Sequence, residues 1–276
     1  MTEVLTRLSG GRRLLIAALL IAAVLVVLAG FAATRPDDNG PKPALAMMTT
    51  LPLQWSEGGI EADLAEDAEP HPAFVRLSRQ YDIQPIDDII AWTPKPKQLL
   101  LLAQPRAFSP QELVRLDAWV RQGGRVLILA DPALQWGSLY PLGDRRRPLF
   151  TSMLSPLFTH WGLELVLPMT DDQPVAIRTI GNFQIRTPTP GEWLPKDKKG
   201  KAPCVITARA LVADCRIGKG RALLVADADL LDTAFWEGQG VRMITGNDEF
   251  ANLEWIESLL SKLSNNAALD RDIVGK

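Results

Sequence analysis

Two short, wholly apolar runs joined by one well-capped amphipathic helix constrain this chain more than any other feature. Residues 98–104 (QLLLLAQ) and 125–130 (RVLILA) are continuous hydrophobic stretches of strand length, the pattern of strands buried on both faces. Between them, Ser109-Pro110-Gln111-Glu112 combines an N-cap serine, a proline at the first helical position and a glutamate at capping-box spacing. Leu113, Leu116, Trp119 and Val120 form the apolar stripe, and Gly123-Gly124 supplies the left-handed stop. Strand, helix and strand within about 35 residues make a right-handed crossover, so the core sheet is parallel.

The flanking segments extend that core. Thr49 to Trp55 reads as a first strand, Pro72 opens a helix with Phe74, Leu77 and Tyr81 on one face, and Ile83 to Ile90 reads as a second strand weakened by Pro85. Leu149, Phe150, Met153, Leu157, Phe158 and Trp161 predict a helix kinked or split at Pro156, followed by a short strand over residues 163–167. The pattern then becomes antiparallel. Two alternating runs meet at Gly181-Asn182, a hairpin signal, and a polar loop leads to a strand over residues 204–212. This insertion covers about residues 173–217. Gly218-Lys219-Gly220 turns the chain into a last core strand (RALLVA), after which Asn247 can cap a final helix bearing Leu253, Ile256, Leu259, Leu260 and Leu263.

Residues 14–33 form an apolar run long enough to span a bilayer as a helix, with Arg7, Arg12 and Arg13 before it and Asp37 and Asp38 after it. The charge bias predicts residues 1–13 in the cytoplasm, a linker over 34–46, an exported domain over 47–264 and a polar tail over 265–276. A cleaved signal peptide is the rival, but the run exceeds the usual h-region, which favours a retained anchor. Cys204 and Cys215 then lie where disulfides persist, as a bridge between neighbouring strands or as two buried thiols.

Net charge is −2 and the basic residues are scattered, with no aromatic ladder beside the clusters at 145–147 and 196–201, which argues against nucleic-acid binding. Two cysteines and two distant histidines, His71 and His160, offer no metal-ligand spacing, and no nucleophile elbow is present. The eight tryptophans are spread through the elements and read as packing. In open α/β sheets ligands bind outside the carboxyl ends of parallel strands. Those ends carry Gln104, Asp131, Asp227 and Asp229, with Asn247 and Glu249 near the same rim. The carboxylates could hold a hard cation or a polar ligand, or could simply cap loops; capping is favoured because no calcium-loop or phosphate-loop motif accompanies them.

Residues 99–132, LLLLAQPRAFSPQELVRLDAWVRQGGRVLILADP, and 218–231, GKGRALLVADADLL, resemble the class I glutamine-amidotransferase-like superfamily. They are more closely similar to membrane-anchored GldG-like auxiliary proteins of gliding-motility and ABC-transport systems and to a related uncharacterised bacterial family. The resemblance implies a flavodoxin-like or amidotransferase-like α/β fold, to which the residues themselves add an antiparallel insertion and one N-terminal transmembrane helix, whereas GldG-like relatives are usually longer and carry a transmembrane helix at each end. It places Ala130 where the amidotransferase cysteine would stand and Pro132 at the following glycine, so it implies the fold without the thioester chemistry. The resulting expectation is a non-catalytic, cofactor-free accessory protein of the bacterial inner membrane. It would serve an ABC transporter or an assembly with a MoxR-type ATPase. A periplasmic module for a small ligand or sugar and a metal-assisted hydrolase are the alternatives.

Overall fold

The computed structural model describes residues 19–20, 41–55, 57, 70–168, 175–196, 203–238 and 248–266. Its centre is a sheet whose strands are β1 (Ala44–Thr49), β2 (Asp82–Pro85), β3 (Leu99–Ala103), β4 (Arg125–Leu129), β9 (Cys204–Thr207), β10 (Val212–Ile217) and β11 (Gly220–Val225). The spatial order is β2-β1-β3-β4-β11-β10-β9. From β2 to β11 all neighbours are parallel, and β10 and β9 add an antiparallel edge. β3 is buried along its whole length, as the run of leucines requires of a strand covered on both faces. Two smaller antiparallel pairs stand apart: β5 (Leu163–Val166) with β8 (Glu192–Pro195), and β6 (Val175–Ile180) with β7 (Phe183–Pro188).

Among the described residues four helices longer than one turn flank the strands: α1 (Pro72–Gln80), α2 (Pro110–Arg121), α3 (Ser155–His160) and α4 (Asn252–Ser264). The crossovers from β1 to β2 and from β3 to β4 run in opposite directions along the sheet, so right-handedness puts α1 and α2 on opposite faces. Side-chain contacts agree with that division. Arg76 of α1 pairs with Asp248 and with Glu254 and Glu257 of α4, while Asp117 of α2 accepts from the Trp161 indole at the end of α3 at 2.8 Å. The capping box of α2 forms: the Ser109 hydroxyl accepts from the Glu112 N–H, and the Glu112 carboxylate accepts from the Ser109 N–H. Arg106 clamps the same carboxylate at 2.5 Å and holds its pKa at about 2. At its other end, α4 gives its last carbonyls, Leu263 and Ser264, to the Arg125 guanidinium at the start of β4.

Several expected boundaries are corrected. The first strand is Ala44–Thr49, beginning inside the expected linker, because ALAMMT is the apolar run that can be buried on both faces; Thr50 to Trp55, interrupted by Pro52, forms bends. The second strand stops at Pro85, which lacks the N–H to continue the ladder. The helix expected from Leu149 is confined to Ser155–His160, since Pro156 fits only the first turn. The final helix has Ala251 at its N-cap, four residues beyond the expected Asn247, which itself lies outside the described residues. The βαβ unit and the Gly-Asn hairpin stand as expected, but the strand expected over 204–212 is broken by a turn at 208–211, where Ala208, Arg209 and Ala210 have positive φ, into the antiparallel pair β9 and β10.

Cys204 and Cys215 are register partners on β9 and β10 and are joined in a disulfide. His71, expected in a loop, is the N-cap of α1: its Nδ1 accepts from the Ala73 N–H at 3.2 Å, and burial lowers its pKa to about 4. The expected span over 14–33 lies outside the described residues except for 19–20; among the described residues no helix is long and apolar enough to cross a membrane.

At Gly220 a Cβ would sit 2.0 Å from the Val120 carbonyl oxygen and 2.3 Å from that of Gly124, both backbone atoms that cannot swing aside. Gly137, by contrast, faces open space. Gly220→Ala should therefore cost about 1–3 kcal/mol or more in a denaturant titration, as overpacking does, while Gly137→Ala should leave the midpoint close to wild type.

Candidate functional site

The carboxyl ends of β3, β4 and β11 converge on one buried polar cluster. β4 runs into Asp131-Pro132 and β11 into Asp227-Ala228-Asp229, and the parallel register sets Leu129 beside Val225 and beside Ala103. One carboxylate oxygen each from Asp131, Asp227 and Asp229 lies within 4.8 Å of the other two. All three residues are buried, as is Gln104.

Backbone amides take up much of this polar surface. Asp131 Oδ1 accepts from the Ala133 N–H at 2.7 Å, closing the turn after β4, and its Oδ2 accepts from the Ala228 N–H at 3.1 Å, tying β4 to the exit of β11. Asp227 Oδ1 accepts from the Leu230 N–H at 3.2 Å, which holds the 3₁₀ turn Asp229–Leu231. Asp229 Oδ2 accepts from the Gln135 N–H at 2.8 Å. Gln104 completes the arrangement: its amide oxygen accepts from the Asp131 N–H at 2.9 Å, and its amide nitrogen donates to the Leu149 carbonyl at 2.8 Å. Its φ of 42° is a left-handed value that a non-glycine residue adopts at some cost. The residue is held there by those bonds and by its own N–H, which donates to the Leu129 carbonyl at 2.8 Å.

Three carboxylates in a dry interior cannot all stay ionised without a counter-charge. Burial raises the Asp131 pKa to about 6, partly offset by the amides of Ala133, Ala228 and Asp229. Burial raises Asp229 to about 8, with the Asp131 charge adding to it. Asp227 is also raised well above the ordinary carboxylate range, by burial and then by the charges of Asp131 and Asp229. Among the described residues Asp227 Oδ2 and Asp229 Oδ1 accept no hydrogen bond. A carboxyl group kept protonated at neutral pH is the inexpensive way to satisfy such atoms. A hard cation with all-oxygen ligands is the other way, and Asp131, Asp227 and Asp229 have the donor chemistry for Mg²⁺ or Ca²⁺.

The structure thus brings together Gln104, Asp131, Asp227 and Asp229 as the sequence pattern anticipated. Asn247 lies outside the described residues, and Glu249 is exposed, its N–H donating to the Trp236 carbonyl at 2.8 Å. Cys204 and Cys215 sit at the far antiparallel edge. Ala130 is fully buried at the end of β4 and has no nucleophilic atom. The residue that sequence reasoning missed is Asn252, the buried first residue of α4, whose side chain accepts from the Arg186 N–H at 2.8 Å and donates to the Arg186 carbonyl at 2.9 Å. An asparagine opening an apolar helix was the available signal. A second feature went unnoticed: a crevice of about 430 Å³ at the carboxyl ends of β1 and β2.

Because the folded state raises these carboxyl pKa values, it binds more protons than the unfolded chain between about pH 4 and pH 8, and stability contributed by the protonated cluster is lost as pH rises through that window. Asp229→Asn keeps an acceptor and a donor without the charge. Its melting temperature should gain on wild type as pH increases, by at least about 3 °C at pH 8, and the gain should shrink towards pH 4. Parallel melting curves across that range check it.

Comparison with known proteins adds the family. No curated protein matches the chain. Among solved structures, similarity is seen to the mmIFT52 N-terminal domain, with 13% identity, TM-score 0.46, 83% of this chain and 100% of that one covered. It is also seen to the cytoplasmic protein STM3548 from Salmonella typhimurium, with 11% identity, TM-score 0.42, and 79% and 98% covered. The exo-β-1,4-mannosidase Op5Man5 from Opitutaceae bacterium strain TAV5 shows 13% identity and TM-score 0.41, with 87% of this chain covered but only 37% of the mannosidase. Likenesses at this level carry no weight for activity. The model of the family described as an ABC-type uncharacterized transport system, ABC_transp_aux, matches residues 42–179, half of the sequence, and spans the parallel core from β1 through β4. The chain belongs to this ABC-type transport auxiliary family.

Proposed function

We propose that this chain is a non-catalytic accessory protein of a bacterial ABC-type transport system, anchored in the inner membrane by residues 14–33 with its α/β domain on the periplasmic side. The family match over residues 42–179 is the observation that carries the accessory role. The anchor rests on the apolar run and its arginine-rich N-terminal flank. The Cys204–Cys215 disulfide supports an oxidising compartment.

The non-catalytic part rests on the end of β4. In the amidotransferase-like reading, which the strand order β2-β1-β3-β4-β11 favours as a flavodoxin-like arrangement, the nucleophile would stand at Ala130. Alanine there removes the thiolate route, and Asp131 beside it is committed to two backbone amides. The cluster at the sheet's end then acts as a clamp that holds a recognition surface in shape. A MoxR-type ATPase assembly is the second partner class consistent with a membrane-tethered domain of this kind.

Mild crosslinking of the full-length protein in its own membranes, followed by affinity purification and mass spectrometry, tests the reading. Reproducible co-recovery of the membrane and ATP-binding subunits of a transporter is expected. Recovery of the protein alone, or with an ATPase of another class, would sink the transport assignment.

A further inference from the structure

The strand order reverses at β1: the chain passes from β1 to β2 on one side and reaches β3 on the other. A reversal of this kind leaves a crevice outside the carboxyl ends of the flanking strands, the place where open α/β sheets take ligands. This chain has a crevice of about 430 Å³ beyond Thr49 at the end of β1 and Pro85 at the end of β2, beside that reversal on its β2 side. That volume lies in the range of small-molecule sites.

Its lining has a defined chemistry. Trp55, 64% exposed and unusual in that for so large an apolar side chain, lines the crevice. Glu57 is held rigidly: its Oε2 accepts from the Leu139 N–H at 2.5 Å, and its carbonyl accepts from the Tyr140 hydroxyl. Its other carboxylate oxygen, Oε1, is buried and accepts no hydrogen bond among the described residues. A buried acceptor left unmatched costs free energy until a donor arrives. Asp87 adds a second carboxylate from the segment after β2. Among the described residues the one cationic group in the lining is Arg146, and Asp144 already neutralises it through contacts of 2.7 and 3.1 Å. The Arg146 guanidinium also lies 4.0 Å from the centre of the Tyr140 ring, so this wall already accommodates a cation on an aromatic face.

We propose that this crevice is a binding site for a small organic cation, a primary amine whose ammonium donates to Glu57 Oε1 and whose alkyl part packs on Trp55. Two carboxylates against one neutralised guanidinium favour a positive ligand over an anion. An ammonium carries three donors and no acceptor, which matches the unpaired Glu57 Oε1. A neutral sugar would bring hydroxyl donors but would gain nothing from the net negative lining. The site is separate from the buried aspartate cluster, and it stands whether or not the chain serves a transporter.

Isothermal titration of the purified full-length chain with putrescine, cadaverine and agmatine, and with glucose and N-acetylglucosamine as neutral comparisons, tests it. Saturable binding of at least one amine is expected, weakened by raised salt and weakened tenfold or more in Glu57→Gln. Glu57→Gln keeps an oxygen for the Leu139 N–H, and Trp55→Ala alters an exposed side chain, so the two variants guard against a loss caused by misfolding; both should lose affinity while melting near wild type. No heat with any amine, sugar binding in preference to amines, or amine binding unchanged in both variants would overturn the proposal.

Discussion

Strand β4 hydrogen-bonds to parallel neighbours on both edges and is buried from Val126 through Leu129, and the rest of the domain depends on that placement. A central parallel strand must have all its backbone polar groups matched by its neighbours and all its side chains covered by helices. The capped α2, the Gly220 turn against Val120 and Gly124, and the Arg125 link to the end of α4 are consequences of this requirement. Each fixes one more boundary of the layer that keeps water from β4.

The same burial shapes the chemistry at the end of the strand. Asp131 leaves the sheet where no solvent reaches it, so its carboxylate is satisfied by amides from the turn after β4 and from the exit of β11. Asp227 and Asp229 follow it into the same volume. Closely packed carboxylates of this kind hold protons at pH values where exposed ones would not. A polar cluster of this sort rigidifies two strand exits, and it is separate from the open crevice beyond β1 and β2.

Much of this was legible in the residues. QLLLLAQ and RVLILA admit only buried strands, Ser109 and Glu112 mark a helix start through local hydrogen bonds, and Gly181-Asn182 specifies a tight turn, all signals a few residues long. Boundaries were less legible where a competing local signal was present. The start of β1, Ala44 to Ala46, looked like linker because it follows a polar, proline-containing stretch, and only pairing with β2 and β3 makes it strand. The role of His71 as a helix cap was hidden by the prolines on either side, which suggested a loop. The convergence of Gln104, Asp131, Asp227 and Asp229 could be anticipated from strand polarity, but the depth of their burial could not.

By itself, the sequence determined the parallel βαβ core, the capped helix and the hairpin, because each is encoded by hydrophobic periodicity and turn chemistry over a short span. Only the tertiary structure decided that Cys204 and Cys215 face one another across β9 and β10 and that Asp229 shares a buried volume with Asp131. It alone set Trp55, Glu57 and Asp87 around a common crevice. Those relations join residues far apart in the chain. They depend on strand order and register, which are set when the whole sheet buries its faces at once and not by any local stretch of residues.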